Sequence, residues 1–259
     1  MAVHVPADLS TYIRPMRALF LVLVFSAPAF LLAQAGIWNP VPHKTDEGLT
    51  FRDDLDFYLN HYSEKEIKKM RKQVRVWKMS WDKMLRQAVE DVRAYSEGNL
   101  NDGRVHPFTL SDTEGQQHTL TADSGRIRAF MFVSIANPPG RMQLPRWDKL
   151  RMQYDSTEVE LFVIYGRELH PGDNDYRDYP RPQTDAEKMA YAKELAASTQ
   201  LPVLVDSIDD KVLLQYGQVP NACYVIDKRG RLVFRGTWAD SRKVEMVIDQ
   251  LLEFYGKKS

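Results

Sequence analysis

The apolar positions of this chain change period several times, and each change marks a different kind of element. Residues 18–33 are almost uninterrupted apolar sequence. After Ser63 the apolar residues Ile67, Met70, Val74, Trp77, Trp81, Met84 and Ala88 alternate steps of three and four. That spacing predicts one stripe along a helix running to about Tyr95. Ser63-Glu64-Lys65-Glu66 has the spacing of a capping box, and the Gly- and Asn-rich segment 96–103 ends the helix. From His106 the period shortens. Phe108-Thr109-Leu110 and His118-Thr119-Leu120 flank Asp112-Thr113-Glu114-Gly115 and predict a hairpin. Continuous apolar runs at 127–134, bounded by Pro138-Pro139-Gly140, and at 159–165 predict buried strands. Further strands are expected at 203–205, 222–227 and 231–235, the last two joined across Lys228-Arg229-Gly230. Helices are expected at 144–154, 185–198, 209–216 and 242–255, with Pro145 tolerated in a first turn.

The order of these elements is two hairpin strands, then β-α-β-α-β-α-β-β-α. Two β-α-β crossovers followed by a hairpin and a helix predict an α/β domain, a mixed sheet with helices on both faces. With the N-terminal β-hairpin added, this is a thioredoxin-like fold, preceded by a long helix and an N-terminal apolar segment. The expected divisions are 1–38 for a signal peptide or membrane anchor, 39–62 for a linker with room for a short helix near 53–60, 63–98 for the long helix, and 104–257 for the thioredoxin-like domain. Val219-Pro220, just before a strand, suits the cis-proline that this fold places beside its active site.

Arg14 and Arg17 precede the apolar run, and Ala33-Gln34-Ala35 resembles a small-x-small cleavage site. The 21 residues from Ala18 to Trp38 are long enough to cross a bilayer uncleaved. Either way the globular part is expected to be exported or membrane-anchored, outside the cytoplasm. Between Ser63 and Arg93 there are ten Lys or Arg and five Asp or Glu. Such a basic helix can pack on the following domain, pair two chains into a homodimer, or lie near anionic lipid.

Composition narrows the chemistry. The 259 residues carry 35 basic and 35 acidic side chains, so no global field favours nucleic acid. The one cysteine, Cys223, cannot form an internal disulfide, a Cys-x-x-Cys pair or a two-thiolate zinc site. It lies within the strongly β segment 221–226, where a small buried hydrophobe is expected. The histidines lack metal-ligand spacing, and neither a metal nor a cofactor is expected.

In open α/β sheets, ligands collect at the carboxyl ends of strands. One such end is Ser134-Ile135-Ala136-Asn137-Pro138-Pro139. The next is Ile164-Tyr165-Gly166-Arg167-Glu168-Leu169-His170-Pro171, and Pro220 should face both. Together they bring a hydroxyl, an amide, a phenol, a carboxylate and an imidazole to one edge, an acid/base cluster. Glu168 and His170, two apart, would face the same side of an extended segment.

These two loops resemble the iodothyronine deiodinase family, a thioredoxin-fold group usually anchored by an N-terminal membrane segment and acting as dimers. Its first signature is a strand ending in Ser-Cys-Thr-selenocysteine-Pro-Pro, matched here by Phe132, Ser134, Pro138 and Pro139. Its second, Tyr-x-x-Glu-x-His-Pro-x-Asp, is matched by Tyr165, Glu168, His170, Pro171 and Asp173. The likeness runs from Phe108 to Tyr255. It departs at the chemistry: Asn137 aligns with the selenocysteine, Ala136 with the threonine and Ile135 with the nearby cysteine. A carboxamide cannot serve as the chalcogen nucleophile. The resemblance implies a pocket in which Glu168 and His170 move protons, Ser134, Tyr165, Pro138, Pro139 and Pro220 bind, and Asn137 contributes hydrogen bonds only. Three functions are expected: a ligand- or partner-binding protein for a small hydrophobic or aromatic molecule, an oxidoreductase using an external thiol or Cys223, or an assembly module paired through its long helix.

Overall fold

The structure is a computed structural model describing residues 41–45, 48–52, 65, 68, 71, 72, 80, 103 and 105–256 apart from 123 and 238. The apolar run at 18–33, most of the long helix and any helix near 53–60 lie outside the described residues. Lys65, Lys68, Arg71 and Lys72 are helical and exposed. Among the described residues no helix is long and apolar enough to cross a membrane.

A seven-stranded sheet organises the molecule. Its strands are β1 (Val41–Thr45), β2 (Gly48–Arg52), β5 (Ile127–Val133), β6 (Val159–Tyr165), β7 (Val203–Val205), β8 (Cys223–Ile226) and β9 (Leu232–Gly236), in the spatial order β1-β2-β9-β8-β5-β6-β7. β5, β6 and β7 are parallel, while β8 is antiparallel to β5 and to β9. Strands buried on both faces need apolar residues at every position. β5 is buried at all seven positions and apolar at six; the exception is Arg128, whose guanidinium donates to the Thr121 carbonyl. Its parallel pairing with β6 runs in register from Ile127↔Val159 to Val133↔Tyr165.

The helices are α1 (Pro138–Arg141), α2 (Leu144–Arg151), α3 (Asp185–Ala196), α4 (Lys211–Gln215) and α5 (Ser241–Gly256). One face of the sheet packs Trp147 and Leu150 of α2, Ala192 and Leu195 of α3, and Val244, Val247, Ile248 and Leu251 of α5 against Met131, Val163 and Val225. The indole of Trp147 also donates to the Ala239 carbonyl at 2.8 Å, so its one polar atom is satisfied inside. The opposite face is aromatic: Phe130 stacks on Phe162 and Tyr224 and meets Tyr216 edge-on. Truncating such a ring to Ala typically costs about 3–5 kcal/mol. This face is closed by Val212 and Leu213 of α4 and by the two-stranded sheet of β3 (Phe108–Ser111) and β4 (Gln117–Leu120).

The expected strands and helices recur within a few residues at each end, and three local expectations are corrected. Residues 41–52, expected in a linker, contain an antiparallel hairpin whose second strand pairs in parallel with β9. The buried Phe51 ring anchors it in the core. Pro138-Pro139-Gly140, expected as a boundary, forms the short helix α1, because prolines fit a first turn whose N–H groups have no helical partner. Finally, the described residues contain no cis peptide bond, so Val219-Pro220 is trans. The trans isomer is intrinsically favoured by about 0.5–1 kcal/mol, and the chain here turns at Gly217 and Gln218, both at positive φ (103° and 64°).

The tip of the β8–β9 hairpin shows how tightly the sheet is closed. A side chain on Gly230 would lie 1.2 Å from the Ala122 carbonyl oxygen, and its φ of 72° also favours glycine.

Candidate functional site

The carboxyl ends of β5 and β6 meet as expected, joined by five hydrogen bonds between the segments that follow them. The Ser134 hydroxyl donates to the Arg167 carbonyl at 3.0 Å, and the Gly166 amide donates to the Val133 carbonyl at 3.0 Å. The amide of Ile135 donates to the Tyr165 hydroxyl at 3.2 Å. The Ala136 amide donates to Glu168 Oε2 at 2.8 Å, and the His170 amide returns a bond to the Ala136 carbonyl at 3.0 Å. Tyr165 closes the ring by donating its hydroxyl proton to Glu168 Oε1.

Asn137 sits at the centre of this edge, fully buried. Its Oδ1 accepts from the Gly140 amide at 3.1 Å, capping α1. Its Nδ2 donates to the Pro220 carbonyl at 3.1 Å. Close approach is built in here: a side chain on Gly140 would lie 2.7 Å from Val133 Cγ2 and 3.2 Å from Asn137 Nδ2.

Burial governs the electrostatics. Desolvation pushes the Glu168 carboxyl above its ordinary range, and the bonds from Tyr165 and Ala136, with the nearby Ser134 hydroxyl and the Lys188 charge, only partly offset it. Desolvation likewise raises the Tyr165 phenol, and the adjacent Glu168 charge raises it further. Neither group is poised to lose a proton easily.

A second ionic layer lies behind. The Lys188 ammonium, almost wholly buried, donates to Asp210 Oδ1 at 2.7 Å and to the Ser207 carbonyl at 2.8 Å. Arg167 Nε donates to the other oxygen of Asp210 at 2.7 Å. Asp206 caps α4 by accepting from the amides of Val212 (3.1 Å) and Leu213 (2.9 Å), and desolvation raises its carboxyl. Asp210 itself holds a left-handed backbone, φ 55°, a conformation that Asp tolerates better than most residues.

The expected site residues therefore divide. Ser134, Asn137, Tyr165, Glu168 and the Pro220 carbonyl converge in one hydrogen-bonded junction, and Pro138 opens α1 beside them. Pro139 follows in the same turn. His170 does not share a face with Glu168. Its imidazole is 30% exposed and lies 3.3 Å from Asp173 Oδ2, whereas the Glu168 carboxylate points inward. The alternation expected for an extended segment fails because the chain bends at 169–170. Cys223 is fully buried in β8, opposite Met131 of β5 and Gly236 of β9.

Lys188, Asp206 and Asp210 lie beyond the residues expected at the site. Lys188 alone left a signal, since it shares the helical spacing of Ala192 and Leu195 on the buried side of α3. Beside the site, Tyr191 meets Tyr179 edge-on, and Tyr179 lies next to Tyr176. These three rings pack partly against the core. Among the described residues no group of three His, Cys, Asp or Glu side chains could hold a metal ion.

The strand order and crossovers define a thioredoxin-like fold. No family model matches the sequence. Among solved structures the chain is similar to an exposed lipoprotein thioredoxin of Streptococcus pneumoniae, at 21% identity and a TM-score of 0.44, over 56% of this chain and 100% of that one. It is also similar to a thioredoxin-like protein of Aeropyrum pernix, at 19% identity and a TM-score of 0.41, over 56% and 89% of the two chains. A third similar structure is the MTB dsbF protein, at 15% identity and a TM-score of 0.42, over 56% and 94%.

Proposed function

We propose that this chain is a deiodinase-like thioredoxin-fold protein that binds a small aromatic or hydrophobic ligand without thiol or selenol catalysis. The reading also has it exported or held at a membrane by its N-terminal apolar run, with the 63–98 helix as the element that would pair two copies. The observation that carries it is the state of Asn137. Both of its amide atoms are engaged within the fold, and the side chain is fully buried. A carboxamide so held can neither attack a substrate nor accept oxidising equivalents. The three tyrosines near His170 supply aromatic surface to which such a ligand can dock.

The test is equilibrium binding of 2,6-diiodophenol, followed by tryptophan fluorescence, to the whole protein and to Cys223→Ala and His170→Ala. Saturable binding that survives Cys223→Ala and weakens in His170→Ala is expected. Absence of saturable binding by the unmodified protein would overturn the ligand-binding reading, and release of iodide would overturn the loss of catalysis.

A further inference from the structure

Residues 141–152 run from the end of α1 through α2 and carry four cations, Arg141, Arg146, Lys149 and Arg151, against one acid, Asp148. The core takes the inner side of α2 through Leu144, Trp147 and Leu150. Helical geometry then turns Pro145, Lys149 and Met152, at steps of four and three, to the outside, where all three are exposed. Arg141 and Met142, in the turn before, are exposed as well. The one acid serves the fold: Asp148 accepts from the Thr199 hydroxyl at 2.7 Å and from the Gln200 amide at 2.8 Å. No carboxylate pairs with any of the four cations among the described residues, and Arg141 and Arg151 reach only the backbone carbonyls of Ile135 and Gln200. Exposed methionines complete the pattern. Met152 is 78% exposed and Met142 40%, and among the described residues only Leu214, at 44%, joins them as an exposed large apolar side chain.

We infer that the outer face of α1 and α2 is a docking surface for an anionic lipid bilayer. Anionic headgroups complement four cations that have no acidic partner, each cation near such a surface strengthening binding about fivefold. The interfacial layer beneath the headgroups takes the two flexible thioether side chains. Charge alone would fit any polyanion. The exposed methionines select lipid, because a phosphate backbone offers them no apolar contact. The face begins four residues after Asn137, and Arg141 reaches back to the Ile135 carbonyl at 3.4 Å. Docking therefore holds the strand-end junction at the lipid surface, together with His170, whose amide is bonded to Ala136. A hydrophobic ligand concentrates in that layer. The inference rests on the ligand-binding reading proposed above for this role, and names the surface from which the ligand arrives.

The test places an environment-sensitive nitrobenzoxadiazole label at Met152→Cys, and separately at Leu214→Cys, in the whole protein carrying Cys223→Ala. Leu214 lies on α4, which covers the opposite face of the sheet from α2, so its label is the internal control. Vesicles of phosphatidylcholine alone are compared with vesicles of equal parts phosphatidylcholine and phosphatidylglycerol. The label at 152 should shift to the blue with the anionic vesicles only, and the shift should disappear at high salt. It should need about tenfold more anionic lipid when Arg146→Gln and Lys149→Gln are combined. Among the described residues neither of these side chains makes a hydrogen bond, so the variant keeps the fold. A label at 152 that ignores anionic vesicles, responds equally to neutral ones, or is matched by the label at 214 would overturn the inference. So would an equal shift with heparin in the absence of lipid, which would assign the face to soluble polyanions. The readout uses neither the iodinated phenol nor iodide release, so its failure is distinguishable from failure of the ligand-binding reading.

Discussion

Asn137 holds the carbonyl of Pro220 at 3.1 Å across 83 residues of sequence. The same side chain starts α1 through Gly140. One buried carboxamide therefore fixes the loop after β5, the first turn of α1 and the entry to β8 relative to one another. Removing it leaves a buried carbonyl and a helix start without their partners. Asn137→Ala should cost about 2–4 kcal/mol in urea unfolding, combining a lost cap with a buried unsatisfied acceptor. Asn137→Asp keeps the cap and loses only the donor, so at low pH, with the carboxyl protonated and able to donate, it should be the milder change. A loss for Asn137→Asp that is the same at pH 4 and pH 8 would show that the Pro220 contact contributes nothing.

Glu168 should make stability depend on pH in a particular direction. Its folded-state carboxyl lies above the ordinary value through desolvation, so the folded protein binds the proton more tightly than the unfolded chain. The stabilisation is fully present below the unfolded value of about 4.3 and is lost as pH rises through the raised folded value. Asp206 acts in the same direction, and Asp112 and Asp240, whose carboxyls are lowered, act in the opposite one. The difference between the parent and Glu168→Gln isolates the Glu168 contribution. Urea unfolding from pH 4 upward should show the variant gaining on the parent as pH rises. A constant difference would contradict the assignment.

Lys188 and Asp210 form the most buried ion pair described, at 2.7 Å, with side chains 2% and 9% exposed. Deleting one partner strands the other, a loss of about 3–5 kcal/mol for a wholly buried pair. Arg167 still reaches Asp210, so Lys188→Met should cost less than that, roughly 2–3 kcal/mol. Adding Asp210→Asn should recover part of it. A double-mutant cycle in which the two losses simply add would show that the pair is not coupled.

Cys223 is enclosed between β5 and β9, and even a methyl group on Gly236 would come within 3.0 Å of its Sγ. A thiol reagent should therefore modify the native protein only through opening of the sheet. Labelling should rise in step with unfolding by urea, and fast stoichiometric labelling in buffer alone would return the cysteine to the list of usable nucleophiles.

The legible parts of the fold are those whose pattern needs one explanation. β5 and β6 are apolar at nearly every position because both of their faces are covered, and α5 keeps a stripe because only one side is. The hairpin at 41–52 hid its nature because Pro42 reads as a breaker, although an edge strand tolerates a residue that cannot donate. Pro138 and Pro139 likewise concealed a helix start. At the site, the ends of two apolar runs are where Ser134, Asn137, Tyr165 and Glu168 lie, and the structure joins them in one hydrogen-bonded junction. Their roles were less accessible, since the inward turn of Glu168 and the outward turn of His170 depend on a bend that spacing alone does not show.

The proposed function has a strand-end junction with Asn137, not a thiol or selenol, at its centre. Reductive deiodination of 2,6-diiodophenol by the purified protein with excess dithiol tests it most directly. Iodide release should be no faster than without protein and unchanged in Cys223→Ala. Multiple turnovers that disappear in Cys223→Ala or His170→Ala would contradict it.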